Sequence, residues 1–176
     1  MSLVVETGAG LSTAESYVSV ADADAYHAAR GNTTWADLDD LEQKEPALRR
    51  ATDYMMQVYR TRWKGVRMQA EQALDWPRSG VYVEPFMHGA VGEYPYLIAD
   101  DIVPVEIARA CAKLALKAVT ADLAPDLDRM TTRETVGPLT VEYAAGAPQY
   151  VRYRDVDGML APYLSTTSVC KLLVRG

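Results

Sequence analysis

The sequence predicts an α+β domain, mainly α, in which a helical bundle carries a small β-hairpin or sheet and extended termini. Two amphipathic helical stripes and one strand-like alternation late in the chain carry that prediction, within a length of 176 residues that suits a single domain. The expected divisions are an N-terminal arm over 1–15, a long loop over 81–101 and a C-terminal tail over 165–176.

The elements follow in order. Leu3 to Val5 is short and apolar, and Gly8 and Gly10 loosen the backbone after it, as in an arm that joins a sheet or a neighbour. Ser19 is placed to cap a helix over Val20 to Arg30, with Asp22 favouring its N-terminus and Gly31 supplying a left-handed end. Thr34 is placed to cap a short helix carrying Trp35, Leu38 and Leu41. Pro46 fits the first turn of a longer helix to Arg62, whose Leu48, Ala51, Met55, Val58 and Tyr59 share one face. Arg60, Arg62 and Lys64 form a basic last turn that complements the helix dipole, and Gly65 stops it.

A short helix is expected over Gln69 to Asp75, then a turn over Trp76 to Gly80 forced by Pro77. Val81 to Asp101 has no sustained period and is long for a connection, so it reads as a functional or partner-ordered loop. Pro104 to Leu123 is the strongest helix, with Ile107, Cys111, Leu114 and Ala118 as its buried stripe. Leu139, Val141 and Tyr143 alternate with polar residues as a half-buried strand, with Tyr150 to Tyr153 as its returning partner. Asp155 is placed to cap a helix over Val156 to Leu164, and Val169 to Val174 closes the chain as an apolar β-type segment.

Charge narrows the function classes. The formal net charge is -6, which does not suit a polyanion binder that must cluster Lys and Arg. No apolar run approaches ~18 residues, so no membrane partner is expected. Cys111 and Cys170 sit in apolar patterns and read as free thiols of a cytosolic protein.

The linear pattern offers no complete catalytic constellation. Gly8-Ala9-Gly10-Leu11-Ser12-Thr13 starts like a dinucleotide fingerprint, but Thr13 replaces the third glycine and no acidic residue closes a βαβ unit. His27 and His88, the only histidines, show no metal-ligand spacing. Asp22 with Asp24, Asp39 with Asp40 and Asp100 with Asp101 sit where caps and solvated charge explain them. The expectation is no enzyme, no cofactor and no metal. One cluster resists dismissal: Tyr59, Arg60, Arg62, Trp63, Lys64 and Arg67 interleave rings with cations, near Trp76 and Arg78. Such combinations bind single-stranded nucleic acid by stacking and phosphate contact. The competing reading makes Tyr59 and Trp63 core residues and the cations a helix end or an inter-subunit contact.

The order of short motifs carries a resemblance over nearly the whole chain. Glu6-Thr7-Gly8-Ala9-Gly10-Leu11, Ser16-Tyr17-Val18-Ser19, Ala23-Asp24-Ala25-Tyr26 and Arg30-Gly31 open it. Arg50-Ala51-Thr52-Asp53-Tyr54, Trp63-Lys64-Gly65 and Gln72-Ala73-Leu74-Asp75-Trp76-Pro77-Arg78 continue it. Ile102-Val103-Pro104, Val136-Gly137, Val141-Glu142-Tyr143 and Leu160-Ala161-Pro162 close it. This series resembles a phage and prophage family described as DnaT-like single-stranded-DNA-binding proteins. Its members are similar in size and helical order to head–tail adaptors of long-tailed phages.

The adaptor resemblance implies a virion subunit of the neck, made in the host cytoplasm. It implies a ring of copies of the chain, twelve by analogy, under a portal protein and above a stopper or tail-completion protein, with packaged double-stranded DNA passing through. The family description implies instead a replication-type single-strand binder. In the adaptor reading Tyr94, Tyr96, Val169, Leu172, Leu173 and Val174 are the candidate assembly contacts. In the other reading the Tyr59 to Arg67 cluster is the candidate nucleic-acid patch.

Overall fold

A computed structural model describes residues 2–83, 97–126, 133–136, 139–142 and 151–165, the two short segments 133–136 and 139–142 by backbone only. The elements in order are α1 (Val20–Ala28), α2 (Thr33–Ala36), a π-type turn (Asp40–Lys44), α3 (Glu45–Tyr59), β1 (Val66–Arg67) and β2 (Arg78–Ser79). They continue with α4 (Val105–Thr120), β3 (Arg133–Val136), β4 (Leu139–Glu142), α5 (Arg154–Leu160) and a 3-10 turn (Ala161–Tyr163). The chain is mainly helical with small antiparallel pairings, as its sequence predicts.

The centre of the fold is α3 against α4. Leu48, Ala51, Met55 and Tyr59 from α3 meet Ile107, Cys111, Leu114 and Ala118 from α4, all buried. Each large side chain buried there contributes about 1.5–3 kcal/mol relative to exposure. The Thr52 hydroxyl bonds back to Leu48 O (3.0 Å) and lies 3.3 Å from the Cys111 sulfur, so even the polar atoms of the interface are partnered. On the flanks, α1 and α5 pack on α4, and α2 packs on α1. Lys113 of α4 reaches Asp155 of α5 at 2.9 Å.

Helix ends obey local chemistry where the caps were legible. Ser19 accepts from the Asp22 N–H at 3.0 Å, and Gly31 takes φ 67° after α1. Elsewhere tertiary contacts moved the boundaries. Asn32, not Thr34, stands at the cap position of α2, and its side chain goes to His27 instead. Leu41 lies in the π-type turn, outside the short helix expected to carry it, and is 70% exposed. The third helix ends at Tyr59 rather than Arg62. There Trp63 pairs with Leu164, the Lys64 N–H donates to Tyr163 O and the Ser165 N–H to Arg62 O, so this stretch serves as a strand-like edge.

Other expectations are corrected. Gln69 to Asp75 forms no helix. The buried Gln72 amide replaces the helical ladder, donating to Leu74 O and Pro77 O and accepting from the Gln69 N–H. β4 pairs with β3, which precedes it, in the register Arg133↔Glu142 to Val136↔Leu139. The expected partner over 150–153 is not a strand in its described residues 151–153, which lead into α5. Asp155 is not the cap of α5 but lies inside its first turn, paired with Lys113.

The N-terminal arm is not loose. Val5 and Ser16 form a parallel bridge, the Glu15 N–H donates to Val4 O, and the Leu3 N–H donates to Glu45. At the far side, the Tyr82–Leu97 bridge closes the base of the long loop.

Candidate functional site

The Tyr59 to Arg67 cluster begins where α3 ends, and the turn that follows brings its residues together. Its aromatics face inward. Tyr59 is 1% exposed and donates its hydroxyl to Asp157 at 2.7 Å. Burial, reinforced by that carboxylate, pushes the Tyr59 phenol well above its ordinary range. Trp63 is 5% exposed and sits between Tyr59 and Trp76, with ring centroids 5.7 and 5.8 Å away. Tyr163 extends the series from Trp76 at 5.7 Å. These four rings form an internal aromatic ladder, each using its π face or edge on another ring.

The cations of the cluster are engaged as well. Arg60 Nε donates to Asp75 at 2.9 Å. Lys64 Nζ donates to Tyr82 O (2.9 Å) and Pro162 O (2.7 Å), joining three separate segments. Arg67 donates to Gln72 O at 3.3 Å, and Arg62 lies over the Tyr59 ring at 5.5 Å. Arg78 is buried and donates to Lys64 O, Gly65 O and Asp75 O, fastening β2 to the turn before β1. Burial lowers the Arg78 pKa from its ordinary value. The linear sequence does not mark Asp75, Asp157 and Tyr163, which hold Arg60, Tyr59 and Trp76. Nothing in a linear pattern marks a carboxylate 15 residues from its arginine. Among the described residues, the indole nitrogens of Trp63 and Trp76 and Asp75 Oδ2 are buried without a protein partner.

The glycine-rich arm closes on itself. Glu6 is 2% exposed, and its carboxylate accepts the N–H groups of Gly8 (2.8 Å), Gly10 (2.9 Å) and Leu11 (2.7 Å). Backbone N–H groups converging on an anion resemble a phosphate nest, but here the anion is the chain's own side chain. Gly8 takes φ 115° and packs so closely on Asp101 that a Cβ would overlap its carbonyl oxygen. These glycines therefore serve close packing and carboxylate capture.

Chemistry at the remaining candidates is structural. His27 is 1% exposed; its Nε2 meets Ala112 O at 3.0 Å and its Nδ1 meets the Asn32 amide at 2.9 Å. That pairing fits a neutral ring, and burial lowers the His27 pKa. Cys111 is fully buried between α3 and α4, and burial pushes its thiol up. His88 and Cys170 lie outside the described residues. Among the described residues, no group of His, Cys, Asp and Glu is arranged to hold a metal ion. Among them, no helix is long and apolar enough to cross a membrane.

The candidate assembly residues Tyr94, Tyr96, Val169, Leu172, Leu173 and Val174 lie outside the described residues. The described residues do form one open apolar surface. The arm, α1 and the first half of α4 enclose an open cleft of about 560 Å³, lined by Val5, Thr7, Tyr26, Val103, Val105 and Ala108 among others. Val105 (51% exposed) and Ile102 (41%) extend apolar surface at its edge.

No curated protein and no solved structure matches the chain. A family model does, over residues 1–176, with a description that speaks of single-stranded DNA and not of head–tail connectors. With a match of that extent, the chain belongs to the family described as "Putative DnaT-like ssDNA binding protein".

Proposed function

We propose that this chain is a non-catalytic assembly subunit, and specifically a head–tail adaptor of a tailed bacteriophage that forms a ring between the portal and the downstream neck proteins. The observation that carries this reading is the apolar cleft with its exposed Ile102 and Val105, a surface suited to another protein chain. The net charge of -6 supports it, because like charge keeps DNA from sticking to a channel wall. Twelve copies are expected by resemblance alone. Negative-stain imaging of the full chain, alone and mixed with portal complexes, tests the proposal. Rings seated on the portal are the expected result; a chain that stays monomeric and leaves portals bare overturns it.

The family description favours a second reading, a single-strand binder of the DnaT type. Stacking on Tyr59 or Trp63 would require breaking the core, since both rings are enclosed. What the cluster offers is the exposed Arg60, Arg62 and Arg67, phosphate contacts without a base platform. Fluorescence polarisation with single-stranded DNA at two salt concentrations separates the readings.

A further inference from the structure

We propose that the cleft between the N-terminal arm, α1 and α4 receives the acidic turn around Leu41 of a second copy of this chain, as a knob enters a socket. The inference rests on the assembly reading above and names its partner. At 70%, Leu41 is the most exposed large apolar side chain among the described residues. Asp37, Asp39, Asp40 and Glu42 flank it in sequence, all exposed. Among the described residues only Asp40 of these four makes an ion pair, with Lys44 at 2.8 Å. The turn is also firmly held. The Asp39 carboxylate accepts the N–H groups of Leu41 and Glu42, both at 3.0 Å. A side chain presented by a fixed backbone loses little conformational freedom on docking.

The cleft complements that knob in shape and charge. Val5, Val103, Val105 and Ala108 give it an apolar lining, and its volume of about 560 Å³ admits a leucine side chain with its turn. Two guanidiniums, those of Arg30 and Arg109, line it as well. Arg30 lies 3.7 Å over the Tyr26 ring and donates to Tyr26 O at 3.0 Å, which fixes it there with further N–H donors to spare. The carboxylates of the lining are already engaged. Glu6 serves the N–H groups of Gly8, Gly10 and Leu11, and Asp22 accepts the Ser19 hydroxyl at 2.6 Å. An apolar socket edged by guanidiniums therefore meets an apolar knob flanked by carboxylates, and charge of this kind sets partner and register.

The fold keeps the knob out of its own socket. Asp22, Ala25, Tyr26 and Ala29 line the cleft and, at spacings of three and four, share one side of α1. Asp24 points to roughly the reverse side, where it accepts from Trp35 of α2 at 2.7 Å and pairs with Lys44 at 3.0 Å. These contacts pin the turn at both ends, with α1 between it and the cleft. A helix with its side chains is about 10–12 Å across. Knob and socket are thus different surfaces on opposite sides of one helix. A contact between unlike surfaces repeats from copy to copy and closes into a ring.

Sedimentation velocity of the full chain at high concentration, with negative-stain imaging on portal complexes, tests the proposal through two variants. Leu41→Asp blunts the knob, and Arg30→Glu with Arg109→Glu reverses the charge of the socket. All three positions are exposed, so both variants should keep the native circular dichroism. The native chain should associate, and either variant alone should weaken that association roughly tenfold or more and form no rings. An equal mixture of the two variants should form dimers and stop there. In that mixture the arginine variant lends its intact knob to the intact socket of the Leu41→Asp chain, and the two surfaces left over are both spoiled. Association that either variant leaves intact overturns the proposal while the assembly reading stands. A mixture without dimers, under conditions where the native chain associates, overturns it in the same way. A native chain that stays monomeric and leaves portals bare overturns the assembly reading and this proposal with it.

Discussion

Glu6 and His27 show how single residues hold this fold. Glu6 serves three backbone donors with two oxygens and has almost no exposure. Glu6→Gln would turn an amide N–H₂ toward at least one of those N–H groups, leaving buried donors opposed. We expect a loss of about 1–3 kcal/mol in denaturant unfolding; an unchanged midpoint would mean that the arm is not part of the cooperative unit. For His27, the folded-state pKa is depressed below 6.5, chiefly by burial and also by Arg30, while the Ala112 carbonyl and Asp24 oppose the shift. The neutral ring is therefore the form that the folded state prefers. Its contribution is complete above 6.5 and is lost as the pH falls through the folded-state pKa. Thermal midpoints of the native chain should drop as the pH falls below 6.5, and His27→Ala, though less stable throughout, should lose that part of the slope. Equal slopes for the two proteins would remove His27 from the account. Neither role was legible beforehand, because each depends on partners that the sequence does not bring adjacent, Ala112 for His27 above all.

Elements were legible where short-range chemistry and period agree. Ser19 with Asp22 announces α1, and the stripe Ile107, Cys111, Leu114 and Ala118 announces α4. Leu114 is fully buried at the centre of the α3–α4 contact. Leu114→Ala should cost about 2–5 kcal/mol by lost transfer and cavity terms, read by calorimetry or urea titration; a cost under about 1 kcal/mol would place the core elsewhere. Elements were misread where side chains stand in for the backbone. Gln72 and Arg78 satisfy carbonyls and N–H groups that a helix or sheet would otherwise engage, so residues 69–75 imitate a helical pattern without forming one. The hairpin partner was misread for another reason. Gly137 and Pro138 separate two short β-type runs, and closing that two-residue connection loses less entropy than closing a loop to Tyr150.

At the scale of the molecule, the sequence located the ring-and-cation cluster but not its orientation. Alternating aromatics and cations have the same linear signature whether the rings face solvent or core. Here Trp76 and Tyr163, brought in from later in the chain, supply the packing that turns them inward. The cleft was invisible in the linear pattern because three separated segments build it. The proposed role has this chain working through protein contacts rather than by stacking bases. Fluorescence polarisation of labelled single-stranded DNA against the full chain at physiological salt tests it most directly. The account predicts no submicromolar binding, and no change in the residual signal beyond a single phosphate contact on Arg62→Ala. Submicromolar binding that Arg62→Ala and Trp63→Ala together abolish, in a variant whose circular dichroism shows it still folded, would contradict the account and make the Tyr59 to Arg67 cluster the working surface.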